Sequence, residues 1–146
     1  MKNSILFLAV ALPVLVAGCA SSTAVTYHAD GKTIAPYSPS VQAGGTLYVS
    51  GQLGMDPQTL ELVSDDVEAQ TKQVFANLQS VLGKAGYTLN DVVQCTVYLK
   101  DIKNFKKVND IYAGYFTQGR YPARVALEVA NLPKYAKVEI SAIAVK

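Results

Sequence analysis

Val92 to Lys100 alternates in polarity and lies between two stretches of helical periodicity. Val93, Cys95, Val97 and Leu99 are expected on one face, and Gln94, Thr96, Tyr98 and Lys100 on the other. That is the period-two pattern of a strand with one buried side. Upstream, Val67, Val74, Phe75, Leu78, Val81 and Leu82 recur at helical spacing. They follow Asp65-Asp-Val-Glu68, which has the form of a capping box, and Gly86 is placed to close the helix as its C′ residue. Downstream, Phe105, Val108, Ile111, Tyr112, Tyr115 and Phe116 form a second amphipathic pattern, interrupted by Gly119 and Pro122. Thr46–Gln52, Arg124–Val129 and Val138–Val145 read as further strands, the last two split by Asn131-Leu-Pro-Lys134. The order β–β–α–β–α–β–β predicts a two-layer α+β fold with two helices on one side of a mixed sheet. The other side carries apolar and Tyr residues, so oligomerisation is expected to cover it.

The N-terminus reads as an address. Lys2 precedes a 13-residue apolar run, Ile5–Ala17, that contains Pro13. Such a run falls short of the ~20 residues that span a bilayer and suits a secretory signal. Val16-Ala-Gly-Cys19 then resembles the bacterial lipobox. This resemblance implies removal of residues 1–18, acylation of Cys19 and anchoring in the cell envelope. Ala20, rather than Asp, after the Cys resembles an outer-membrane sorting signal, which in a Gram-negative bacterium means the periplasmic face. A plain signal peptide with an incidental Cys is the alternative. Residues 19–32 are expected to be the lipidated Cys and a Ser/Thr/Ala-rich tether holding a solvated His28, and 33–146 the folded domain.

Composition narrows the chemistry. The chain is 50% apolar, which excludes a disordered polymer. Two Cys and one His cannot build a Cys/His zinc cluster. The net charge of +2 falls to +1 once Lys2 leaves with the signal (13 − 1 basic against 11 acidic groups), which leaves no electrostatic footprint for nucleic acid. Lys103, Lys106 and Lys107 read as a solvated helix face.

Arg124 is one of only two arginines and heads a strand in Tyr121-Pro-Ala-Arg124. Its planar fork suits a carboxylate, although taken alone a surface ion pair is the plainer reading. Glu139 sits in an apolar strand, either solvated or as a general acid/base. Cys95 reads as a small buried hydrophobe. Tyr37, Ser50, Gly51, Gln52, Asn109 and Tyr112 lie near element ends, where turn, surface or core roles would each suffice.

Several segments in order resemble the RidA/YjgF family of enamine/imine deaminases. They are Ile34-Ala-Pro-Tyr37, Val49-Ser-Gly-Gln52, Gly83-Lys-Ala-Gly86, Phe105-Lys-Lys-Val-Asn109-Asp-Ile-Tyr112, Pro122-Ala-Arg124, Val129-Ala-Asn-Leu-Pro133 and Val138-Glu-Ile140. The resemblance implies a chorismate-mutase-like fold and a homotrimer with active sites in the clefts between subunits. It implies hydrolysis of reactive 2-imino acids, released as 2-amino enoic acids by pyridoxal-phosphate enzymes, to 2-keto acids and ammonia. No metal or organic cofactor is implied. Arg124 matches the substrate-carboxylate arginine and Glu139 the acid that handles water; Tyr37, Ser50, Gly51 and Asn109 match positions lining the cleft. Ala126 falls in a stretch whose backbone groups serve the site and where many members carry Cys; Val125 stands where Ser is frequent. Export departs from the cytosolic habit of the family. A non-catalytic trimeric module that binds small carboxylates or a partner protein is therefore the alternative, and the low charge disfavours the ribonuclease-like activity of some eukaryotic relatives.

Overall fold

The computed structural model describes residues 24–29 and 31–146, which form one six-stranded sheet covered on one side by two α-helices. In chain order the strands are β1 Val25–His28, β2 Ser40–Ala43, β3 Thr46–Leu53, β4 Val92–Leu99, β5 Ala123–Glu128 and β6 Val138–Val145. The helices are α1 Val67–Lys84 and α2 Phe105–Ala113. Across the sheet the order is β1-β2-β3-β6-β4-β5, antiparallel throughout except for the parallel pair β4–β5. A parallel pair needs a crossover, and α2 supplies it. The expected α+β class, with one sheet and two helices, is the fold observed.

The core follows from alternation on the strands and periodicity on α1. Val138, Ile140, Ala142 and Ala144 of β6 are buried, as are Leu47 and Val49 of β3. Against them α1 packs Val74, Phe75, Leu78 and Leu82. Phe75 is the hub: its ring stacks on Tyr115 at 4.1 Å and meets Tyr112 and Phe116 edge-on. Each such aromatic pair adds about 0.5–1.5 kcal/mol beyond area burial. Tyr115 and Phe116 lie past the C-cap of α2 at Gly114, so the helical pattern outruns the helix and its last two apolar residues reach the core from a turn.

Polar side chains stitch α1 down. Buried Gln70 donates to the Ser64 carbonyl (2.8 Å) and accepts from the Lys137 amide (2.8 Å). Asn77 donates to the carbonyls of Leu53 (3.0 Å) and Met55 (2.9 Å) at the end of β3. Only glycine fits at Gly54, where a Cβ would come within 2.6 Å of the Gln70 Cα. Gly86, at φ +79°, ends α1 as expected. The Tyr87 amide reaches the Leu82 carbonyl and the Gly86 amide the Gly83 carbonyl, a Schellman closure.

Four local expectations are corrected. The N-cap of α1 is Asp66, whose carboxylate accepts from the Ala69 amide at 2.8 Å, so the cap sits one residue later than Asp65 and Glu68 does not close a box. Val93 is 48% exposed, because a bulge between Val92 and Gln94 makes Val92 the buried residue. Residues read as tether enter the sheet, since Val25–His28 pairs with Ser40–Ala43. His28 is accordingly not solvated: it pairs with Ser40, and its Nε2 is buried. The signal segment and Cys19 lie outside the described residues.

Candidate active site

Two groups of residues with chemical potential emerge, one on each face of the sheet. The first surrounds Arg124. In the β4–β5 register Arg124 is opposite Cys95, whose side chain is in the core, so Arg124 points to the helical side. There its Nη2 donates to the Asn109 Oδ1 at 2.9 Å, and its guanidinium carbon lies 4.6 Å from the centroid of Tyr112 and 5.6 Å from that of Phe105. A cleft of about 370 Å³ opens beside it, lined by Asn109, Tyr112, Ala113, Tyr121, Pro122 and Arg124. An exposed arginine held by one hydrogen bond and two ring faces retains donors for a planar anion. Burial pushes the Cys95 thiol and the Tyr112 hydroxyl above their ordinary pKa values, so neither is a nucleophile at neutral pH.

The second group surrounds Glu139. Its neighbours Val138 and Ile140 are in the core, so its carboxylate points to the uncovered face. A bulge in the β3–β6 pairing between Val49 and Gln52 contains Ser50 and Gly51. A Cβ at Gly51 would lie 1.8 Å from the Glu139 Oε1, so the carboxylate occupies the space that glycine leaves. Ser50 Oγ donates to the Ser38 carbonyl at 2.7 Å, tying the bulge to the preceding loop. Glu139 is half-buried, and desolvation raises its pKa above the usual carboxylate value.

The structure thus joins Arg124 with Asn109, and Glu139 with Gly51, whose neighbour Ser50 turns to the Ser38 carbonyl, but it does not join the two groups within one chain. Arg124 and Glu139 lie two strands and three residues apart in register, about 10 Å along and about 10 Å across the sheet, on opposite faces. Tyr37 falls in neither group. It lines a separate cleft of about 190 Å³ with Gln52 and Asn77. The Ala126 side chain packs on the core, so only its backbone, on the edge strand, is free to serve a ligand. Phe105 is a further neighbour of Arg124 that the sequence signals only through its spacing from Asn109 and Tyr112 on one helix face.

By fold and site the molecule is a single-sheet α+β protein with an ordered arginine on one face and a half-buried acid on the other. It belongs to the Endoribonuclease L-PSP family, whose sequence profile matches residues 28–146; this is the RidA/YjgF family. A RutC family protein of Pyrococcus horikoshii is 50% identical over 115 residues, 79% of this chain and 90% of the relative. The 2-iminobutanoate/2-iminopropanoate deaminase of Bos taurus is 49% identical over 113 residues, 77% of this chain and 82% of the relative. Among solved structures, the YjgF gene product of E. coli superposes with a TM-score of 0.74 at 40% identity, covering 86% of this chain and 99% of its own.

The raised pKa of Glu139 means that the fold prefers its protonated form. Stability is therefore lost as pH rises through that pKa, and a neutral isostere removes the loss. Glu139→Gln is expected to melt above wild type at pH 7 and to converge with it below about pH 4, where both side chains are neutral. Equal melting temperatures at pH 7 would contradict this desolvation argument.

Proposed function

We propose that the protein hydrolyses 2-imino acids to 2-keto acids and ammonia. The carrying observation is the ordered Arg124 fork beside an open cleft, in a chain whose uncovered face presents a desolvated acid. The deaminase named in Bos taurus, at 49% identity, supports the same chemistry. Arg124 clamps the substrate carboxylate and fixes the imine carbon. Glu139 takes a proton from water as its oxygen bonds to that carbon, and the C=N double bond becomes a C–N single bond in a carbinolamine. Glu139 returns that proton to nitrogen, and transfer of the carbinolamine hydroxyl proton to the same nitrogen then lets ammonia leave as the carbonyl forms. Water and imine are consumed, ammonia and keto acid are released, and no electrons are exchanged.

Because Arg124 and Glu139 face opposite ways in one chain, we assign the complete site to a cleft between copies in a homotrimer. Arg124 and Asn109 would come from one copy, and Glu139, Ser50 and Gly51 from the next. Exposed Val25, Tyr48, Val125, Leu127 and Val145 on the uncovered face give such an assembly apolar surface to bury. Ala126 and Tyr37 are assigned to the cleft, the former through its backbone. A polyanion is a poorer fit: the net charge is +2 for the whole chain and +1 without residues 1–18, and Lys106 on the basic helix face is paired with Asp110 at 2.7 Å. We further assign the enzyme to the cell envelope, with residues 1–18 removed and Cys19 carrying the lipid.

The test uses protein lacking residues 1–19 and a dehydratase that generates 2-iminopropanoate and 2-iminobutanoate in situ. Keto-acid release should accelerate, and Arg124→Ala should reduce the acceleration by about 100-fold or more without lowering the melting temperature. Saturable keto-acid binding without acceleration would instead identify a binding module. For the anchor, Cys19→Ser should move the full-length protein from the membrane fraction to the soluble fraction; unchanged partitioning would refute lipidation.

A further inference from the structure

Phe105, Asn109 and Tyr112 occupy positions i, i+4 and i+7 of α2, one stripe of a helix, and all three reach Arg124. Asn109 accounts for one guanidinium donor. The two rings account for the plane of the fork, because a guanidinium within about 6 Å of a ring centroid is drawn onto its face. Core packing does not explain Phe105, which opens α2 and is 39% exposed. Tyr112 is a firm support: it is 3% exposed and wedged against Phe75 at 5.6 Å and Phe116 at 4.8 Å. The helix stripe is therefore rigid from below and presents one partly open ring above.

We propose that Phe105 and Tyr112 are positioning residues that hold the Arg124 fork in its carboxylate-binding orientation before substrate arrives. This rests on the reading of Arg124 as the carboxylate clamp. A free arginine must freeze several rotatable bonds when it binds an anion, and a guanidinium already stacked has fewer left to freeze. The ordering cost falls on the binding step, and once substrate is bound the fork clamps its carboxylate in the same place with or without the ring beside it. Loss of preorganisation therefore falls on KM and leaves kcat nearly untouched. The arrangement also makes a lysine at position 124 a poor substitute, since an ammonium has no plane to stack and no fork to present.

The experiment compares Phe105→Leu, Phe105→Trp and Arg124→Ala as full-length proteins in detergent. It measures KM and kcat with 2-iminobutanoate generated in situ, and the inhibition constant of 2-oxobutanoate. Phe105→Leu keeps an apolar side chain but removes the ring. It should raise KM and the 2-oxobutanoate constant together by about 3–10-fold, with kcat within about twofold of wild type. Phe105→Trp restores a ring face and should return both constants toward wild type. A fall in kcat with KM unchanged would mark Phe105 as merely structural and overturn the proposal. So would unaltered constants in Phe105→Leu while Arg124→Ala weakens 2-oxobutanoate, and in that case the clamp reading survives. Unaltered 2-oxobutanoate affinity in Arg124→Ala would overturn the clamp reading and the positioning proposal together.

Discussion

Strand alternation under a one-sided helical layer is the constraint on which the rest of this structure depends. Once Val138, Ile140, Ala142 and Ala144 are buried beneath α1, Glu139 has to emerge on the far side of the sheet. Once Cys95 is buried, Arg124 beside it has to emerge on the helical side. No side-chain rotation brings the two together, because a six-stranded hydrogen-bonded layer lies between them. The geometry that stabilises one chain thus divides its chemistry into two halves, and the same uncovered face that bears the acid bears the apolar surface a neighbouring copy would cover.

Each half is held by the cheapest device its surroundings allow. For the acid it is a vacancy: the bulge at Ser50 and Gly51 removes one ladder pair, and the missing Cβ leaves room for the carboxylate to lie against backbone, where desolvation raises its pKa. For the arginine it is a helix stripe, with one amide oxygen and two rings spaced to meet a planar cation. Both devices depend on α1, whose Phe75 supports Tyr112 and whose Gln70 and Asn77 are bonded to the segments flanking β6 and β3. Disturbing α1 would therefore disturb the arginine half through Tyr112.

Much of the fold was legible in the chain. The buried residues of β6, the helical spacing of Val74, Phe75, Leu78 and Leu82, and the glycine that closes α1 each leave a local signature of period or turn chemistry. The misses have physical causes. β1 is only four residues long and lies in Ser/Thr/Ala-rich surroundings, too short for its alternation to stand out, and pairing with β2 makes it a strand. Asp65 and Asp66 are equivalent cap signals, and the choice between them is made by which carboxylate meets the Ala69 amide. Val93 leaves the buried face that simple alternation assigns it, because a bulge adds one residue without altering composition. For the site, residue types pointed to Arg124 and Glu139, but the face each occupies depends on pairings between strands distant in sequence, which no single segment encodes.

The central claim is that an arginine from one copy and an acid from the next make one site. Subunit complementation tests it most directly. Arg124→Ala and Glu139→Gln chains, each inactive alone, are co-expressed and the mixed assemblies assayed for keto-acid release from in situ imine. In random mixed trimers an intact Arg124–Glu139 pair reappears wherever the two variant chains adjoin in the right order, so activity should return to about one quarter of the wild-type sites. Mixed assemblies no more active than either variant alone would contradict the account.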